Sequence, residues 1–254
     1  MSSEMLPVAI LAGGPATRLR PITEAIPKAL IDINGEPFIA HQLRLLRTQG
    51  IEQVVLCVGY LGQKIVDVVG DGGARGMRVT YSFDGPRLLG TAGAIKRALP
   101  QLGEAFFVLY GDSYLECDYQ EIKVAFEASG KMALMTVYRN ESRWDTSNVE
   151  FVDGKILAYD KRRQTPQMRH IDYGLGAFRN TALAMVSGGE TLDLETLYQD
   201  LLARRELAAF EITRRFYEVG SLEGLEETRQ YLEKRGKCAD VIRTKAPERS
   251  HPGR

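Results

Sequence analysis

The apolar run Val8-Ala9-Ile10-Leu11 closes on Gly13-Gly14 and predicts a short buried strand. Residues 38 to 49 carry apolar side chains at Phe38, Ile39, Leu43, Leu45 and Leu46 and stop at Gly50, which predicts a helix. Val54 to Val58 reads as a second buried strand. Leu61 to Val69 reads as a helix closed by the glycine-rich stretch 70–76, and Val79-Thr80-Tyr81 as a third strand. Thr91 to Leu99 predicts a helix stopped by Pro100. Phe106 to Tyr110 predicts a fourth strand that runs directly into Gly111-Asp112. Strands that alternate with helices predict right-handed βαβ crossovers and an α/β, Rossmann-like, doubly wound and mostly parallel sheet flanked by helices.

The pattern changes after residue 115. Met132–Tyr138, Asn148–Val152, Ile156–Tyr159, Ile171–Phe178 and Ala208–Phe216 alternate or form hairpins, with Asp153-Gly154 as a tight turn. Helical pieces are expected near Leu192–Arg204 and Ser221–Lys234. These segments predict a mixed extension of the same sheet. The expected organisation is one domain over 1–235, with halves at about 1–115 and 116–235, and a flexible tail over 236–254.

Composition narrows the functional classes. The 254 residues hold 33 Lys+Arg and 33 Asp+Glu, a formal charge of zero that predicts no nucleic-acid or membrane partner. No apolar run approaches the length of about 18 residues needed to span a bilayer. Leu6–Ala12 is too short for a signal peptide and lacks a basic leader. Cys57, Cys117 and Cys238 are scattered, without a Cys-x-x-Cys, and His41, His170 and His251 lie far apart. A zinc site or disulfide framework is not expected, and a cytoplasmic location is.

The chemistry concentrates at Leu11-Ala12-Gly13-Gly14-Pro15-Ala16-Thr17-Arg18-Leu19-Arg20-Pro21-Ile22-Thr23, followed by Pro27-Lys28. A buried strand feeding a glycine pair lets backbone N–H groups approach a phosphate or a base. Gly-Lys-Ser/Thr is missing, so this is not a Walker A loop; nor is it Gly-x-Gly-x-x-Gly. A glycine turn with solvated cations is the bland alternative. Asp112, directly after a buried strand, stands where ligands of open α/β sheets collect.

The joint pattern resembles the sugar-1-phosphate nucleotidyltransferases, or nucleotide-sugar pyrophosphorylases. It is most like the short bacterial heptose-1-phosphate guanylyltransferases and N-acetylmuramate-1-phosphate uridylyltransferases. The likeness covers about residues 6 to 233, and Leu89-Gly90-Thr91-Ala92-Gly93-Ala94-Ile95 and Gly111-Asp112 carry it with the opening motif. It implies a nucleotide-binding half over about 1–115 and a sugar-phosphate half over about 116–235, Mg²⁺ as cofactor, and NTP and sugar 1-phosphate as partners. A homo-oligomer stays open. The implied reaction joins an NTP and a sugar 1-phosphate and releases pyrophosphate, making a precursor of cell-surface polysaccharide.

Family roles carry over residue by residue. Arg18 matches the arginine on the leaving pyrophosphate and Lys28 the lysine between the two substrates. Leu11, Ala12, Gly13, Gly14, Thr17, Asp84, Gly90 and Thr91 match the nucleotide site. Asp112 matches the metal carboxylate, and Glu218 stands where the family has a second Asp; an Asp capping a turn and an ordinary strand-end Glu are their alternatives. Asp160-Lys161 resembles the family's Glu-Lys pair, although Arg162 replaces the usual Pro; a solvated hairpin tip is the alternative. Gly174 resembles the glycine under the sugar, or marks a β-bulge. Trp144 walls the sugar site or packs under the sheet. Asp84, an acceptor when ionised, suits the adjacent N–H donors of guanine, so GTP and heptose 1-phosphate are the favoured substrates. A UTP-dependent enzyme and a non-catalytic regulatory subunit that binds nucleotide sugar are the alternatives.

Overall fold

Strands and helices of the computed structural model, which describes residues 4–14, 17–184 and 191–244, follow the expected alternation. The strands are β1 Val8–Leu11, β2 Asp32–Ile33, β3 Glu36–Pro37, β4 Gln53–Val58, β5 Arg78–Phe83, β6 Ala105–Tyr110 and β7 Ser113–Tyr114. They continue with β8 Ala133–Arg139, β9 Val149–Val152, β10 Lys155–Tyr159, β11 His170–Arg179, β12 Leu207–Ile212 and β13 Tyr217–Glu218. The α-helices are α1 Ile22–Ala25, α2 Phe38–Thr48, α3 Gly62–Val69, α4 Thr91–Ala98, α5 Tyr119–Ser129, α6 Asn180–Ala184, α7 Leu194–Ala203 and α8 Leu222–Thr244.

The main sheet runs β10-β9-β11-β6-β1-β4-β5, with β8 on β11 and β12 on β8. β5, β4, β1 and β6 are mutually parallel, whereas β11 is antiparallel to both β6 and β8. β12 joins β8 in parallel. The second half therefore extends the first sheet rather than starting another. Central strands have both faces covered, which is why β1, β4 and β6 read as unbroken apolar runs. Val8, Ile10, Leu56, Phe107 and Leu109 pack on one face with α2, α3 and α5. Ala9, Val55, Phe106 and Val108 pack on the other with α4 and α7.

A third cluster serves the site. Leu19, Ile31, Ile33, Tyr114 and Val219 are buried together with Leu225 of α8. Leu19 follows Arg18 and Val219 follows Glu218, so burial of these apolar neighbours holds the charged residues at the surface of the cluster.

The structure departs from the expectations in three places. The strand expected over Ala208–Phe216 ends at Ile212. Helical backbone runs on to Thr244, past the expected start of a tail at 236; residues 245–254 lie outside the described residues. α5 was not anticipated. Its signals are local: Asp118 accepts hydrogen bonds from the Gln120 and Glu121 N–H groups, and Gly130 ends the helix at φ +64°.

Candidate active site

The carboxyl ends of β1 and β6 open into a cleft of about 490 Å³. Leu11 to Gly14, at the end of β1, line its middle, with Tyr110 to Asp112 at the end of β6 on one side and Asp84, Leu88, Gly90 and Thr91 on the β5 side. Lys28 and Lys161 enter from opposite halves of the chain. The close spacing of β1 and β6 demands a glycine at 111, where a Cβ would stand 2.3 Å from the Leu11 carbonyl oxygen. Gln42, buried on α2, donates to the carbonyls of Tyr110 (3.3 Å) and Ser113 (2.8 Å) and so braces the backbone that carries Asp112.

Lys28 Nζ donates to Asp112 Oδ2 at 2.9 Å, across 84 residues of sequence. Burial pushes the Asp112 carboxyl up. The charge and hydrogen bond of Lys28, with the charge of Arg18, outweigh it and hold the carboxyl below the usual range. Arg18 is exposed on the short 3-10 turn Thr17–Leu19.

Glu218 reaches Asp112 through the ribbon β7–β13, in which Glu218 pairs with Ser113. A Cβ on Gly220 would meet Glu218 Oε2 at 2.1 Å and Asp112 Oδ2 at 3.4 Å, so the two carboxylates flank one bare Cα. Burial first, then repulsion from Asp112, raises the Glu218 carboxyl. Its oxygens accept from the Gly220 N–H and the Ser221 hydroxyl (3.0 Å). Ser221 in turn caps α8, accepting from the Gly224 N–H at 3.0 Å. Two neighbouring carboxylates at this cleft could hold Mg²⁺ together with phosphate oxygens. Among the described residues no group of three or more His, Cys, Asp or Glu gathers as a fuller metal cage.

Asp84 is buried beside Gly59 and Leu88. Burial raises its carboxyl, against the Leu89 N–H and Arg97. Cys57 also lines the cleft, its thiol pushed up to about 12 by burial. Gly90 and Thr91 line the cleft, but the start of α4 is already occupied: the Leu192 carbonyl accepts from the Ala92 (2.9 Å) and Gly93 (3.2 Å) N–H groups. The Thr91 hydroxyl accepts from the Leu194 N–H at 2.6 Å. In this arrangement the Ala92 and Gly93 N–H groups are taken up within the chain rather than offered to the cleft.

On the other side, Lys161 projects over the Tyr110 ring, 4.9 Å from its centroid. Asp160 does not line the cleft; its Oδ1 accepts from the Arg162 and Arg163 N–H groups, both at 2.8 Å, and closes its own turn. Gly174 has φ +96° and faces Tyr110 and Ser113, and the register of β11 on β8 shifts between Asp172 and Gly176. Close approach and a bulge thus coincide at this glycine. Trp144 stacks on the Arg215 guanidinium, 3.3 Å from ring centroid to carbon, away from the residues that line the cleft. Thr17 contributes backbone to the turn before Leu19; its side chain lies outside the described residues. Sequence reasoning missed Asp193, an exposed carboxylate on the cleft wall at the start of α7, and Asp172, discussed below.

The chain belongs to the nucleotidyl transferase family, which residues 8–148 match. It is 40% identical over 111 residues to the N-acetylmuramate alpha-1-phosphate uridylyltransferase of Neisseria meningitidis serogroup B, covering 43% of this chain and 48% of that one. It is 34% identical over 154 residues to the D-glycero-alpha-D-manno-heptose 1-phosphate guanylyltransferase of Campylobacter jejuni, covering 60% of this chain and 67% of that one. The chain thus spans about half the length of the first of these relatives and two thirds of the second. HddC from Yersinia pseudotuberculosis, solved in complex with GMP-PN, superposes with a TM-score of 0.74 at 25% identity, over 90% of this chain and 100% of that one. The architecture is that of the nucleotide-diphospho-sugar transferases. No helix among the described residues is long and apolar enough to cross a membrane.

Proposed function

We propose that the cleft joins a nucleoside triphosphate to a sugar 1-phosphate, forming a nucleotide sugar and releasing pyrophosphate. The observation that carries this is the Lys28–Asp112 pair at the meeting of β1 and β6, which puts a cation and a carboxylate where three phosphate groups would crowd. The sugar phosphate oxygen attacks the α-phosphorus, and the bond to the pyrophosphate breaks. Such a transfer needs positioning and charge compensation more than a general base. Lys28 balances the charge between the substrates, Arg18 holds the departing pyrophosphate, and Lys161 holds the sugar phosphate. Asp112 and Glu218 fit Mg²⁺, which when bound supplies Lewis-acid compensation of phosphate charge. Leu11 to Gly14 offer backbone to the nucleotide, and Gly174 allows close approach of the sugar.

For the base we favour guanine. Asp84 is a buried acceptor beside Gly59, which also meets the Gly13 carbonyl, and the N1–H and N2–H of guanine suit one carboxylate. The heptose 1-phosphate guanylyltransferase of Campylobacter jejuni supports this reading and a heptose 1-phosphate acceptor, and HddC, solved with GMP-PN, supports the guanine reading. The Neisseria relative supports the second reading, uridylyl transfer. A matrix of GTP, UTP, dTTP and CTP against a panel of sugar 1-phosphates, read by pyrophosphate release, tests both. Preference for GTP, reduced by about ten- to hundredfold in Asp84→Asn, is expected; preference for UTP overturns the guanine assignment. Absence of turnover with every pair would return the chain to a regulatory, nucleotide-sugar-binding role.

A further inference from the structure

Asp172 on β11 has a side chain only 2% exposed, yet it lies at the hub of the sugar half. The Tyr110 and Tyr159 hydroxyls donate to its Oδ2 at 2.9 and 3.2 Å. The Gly174 N–H donates to its Oδ1 at 3.1 Å, across the bulge. Lys161 Nζ stands 3.6 Å from Oδ2 and donates to the Tyr110 hydroxyl at 3.3 Å. Burial this complete keeps the carboxylate off any phosphate, which it would repel.

Resting on the assignment of the sugar phosphate to Lys161, we propose that Asp172 is a positioning residue that sets the affinity for that phosphate by aiming Lys161. The proton directions explain how. Ionised Asp172 has no proton to give, so the Tyr110 hydroxyl turns its proton to the carboxylate and leaves a lone pair for the lysine. The ammonium is then held over the Tyr110 ring by a lone pair, a π face and a buried negative charge. Its side chain remains 38% exposed, so N–H groups stay available to the cleft. A free lysine stem carries large rotamer entropy, and the relay removes much of it before the substrate arrives. The glycine of the bulge and the lysine are thereby set by one carboxylate, although Gly174 lies within β11 and Lys161 two residues beyond β10.

Asp172→Asn tests this with little change of shape. With its oxygen on the Gly174 N–H, the amide presents N–H to the tyrosines, and the Tyr110 proton turns toward Lys161. The expected result is a rise of about tenfold in KM for the sugar 1-phosphate, on the scale of one hydrogen bond to a charged group. The kcat and the KM for the nucleotide stay unchanged. Lys161→Ala should raise the same KM, and Asp172→Asn/Lys161→Ala should be no worse than Lys161→Ala alone. Tyr110→Phe, which removes only the relay hydroxyl, should repeat the effect and serves if Asp172→Asn does not fold. If Lys161→Ala raises KM but neither Asp172→Asn nor Tyr110→Phe does, or if the double variant is additive, the positioning role is overturned. If Lys161→Ala leaves KM unchanged, the assignment of the phosphate to Lys161 fails, and the inference with it.

Discussion

Lys28→Ala removes the cation from a site with two carboxylates. Lys28 and Asp112 keep side-chain exposures of 19% and 27%, so their pair is neither a surface contact nor a dry one. Exposed pairs contribute about 0–1 kcal/mol, and breaking a fully buried pair costs about 3–5 kcal/mol. Between these limits a loss of about 2 kcal/mol is expected, which for a domain of this size lowers Tm by roughly 4–8 °C. The loss should depend on pH with a definite sign. Asp112, held low, adds stability above its unfolded pKa that is lost as pH falls through the lowered value. Glu218, held high, loses favour as pH rises through its raised value, and without Lys28 that value rises further. The Asp112 contribution is lost only below the usual carboxylate range, so from pH 4 to 8 it is the Glu218 effect that makes the destabilisation larger at pH 7 than toward pH 4. Activity should respond through kcat, by about 10²–10³-fold, as when one group aimed at transition-state charge is removed. Thermal unfolding of both proteins from pH 4 to 8, with steady-state pyrophosphate release at pH 7, measures all of this. A destabilisation independent of pH, or an effect confined to KM, would refute the reasoning.

Asp112→Asn keeps the shape and loses the charge; pyrophosphate release should vanish at saturating Mg²⁺ while the circular dichroism spectrum is retained. Glu218→Gln should require more Mg²⁺ for half-maximal rate, read by metal titration, because one proposed oxygen ligand becomes a neutral amide. Gly111→Ala drives a methyl into the Leu11 carbonyl, both on backbone that cannot yield, and should cost about 1–3 kcal/mol in urea unfolding.

The first half of the chain was legible because its strands are buried on both faces and its candidate site residues sit directly at their ends. Gly13-Gly14 after β1 and Gly111-Asp112 after β6 could be read without knowing the sheet order. The second half was less so. Asp172 acts through Tyr110, Tyr159 and Lys161, and it is the pairing of β11 with β6 that brings Asp172 to Tyr110 across 62 residues. The occupied start of α4 was equally hidden, since its plug is the backbone of Leu192, and a carbonyl leaves no trace in a residue pattern. α5 had readable caps at Asp118 and Gly130, but exposed Val124 and buried Lys123 blur its apolar stripe.

The charges of the cleft make the two lysines comparable. Lys28 is met by Asp112 and Lys161 by Asp172, so neither enters the cleft as a bare cation. A cleft of bare cations would bind any polyphosphate and would be destabilised by self-repulsion before substrate arrived. Pairing removes that repulsion, but the two partners differ in what they can do next. On the proposed function, Asp112 and the neighbouring Glu218 would hold the divalent cation, and Lys28 would then be free to face the phosphates. Asp172 is shut behind two tyrosines and stays with Lys161 throughout. Lys28 would therefore be the cation whose surroundings change on substrate binding, which suits the proposed role in the transition state. Lys161 keeps one set of partners, which suits a role in holding a ground-state phosphate. The same geometry thus leads Lys28→Ala to act on kcat and Lys161→Ala on KM, and equal effects of both on KM alone would refute the division.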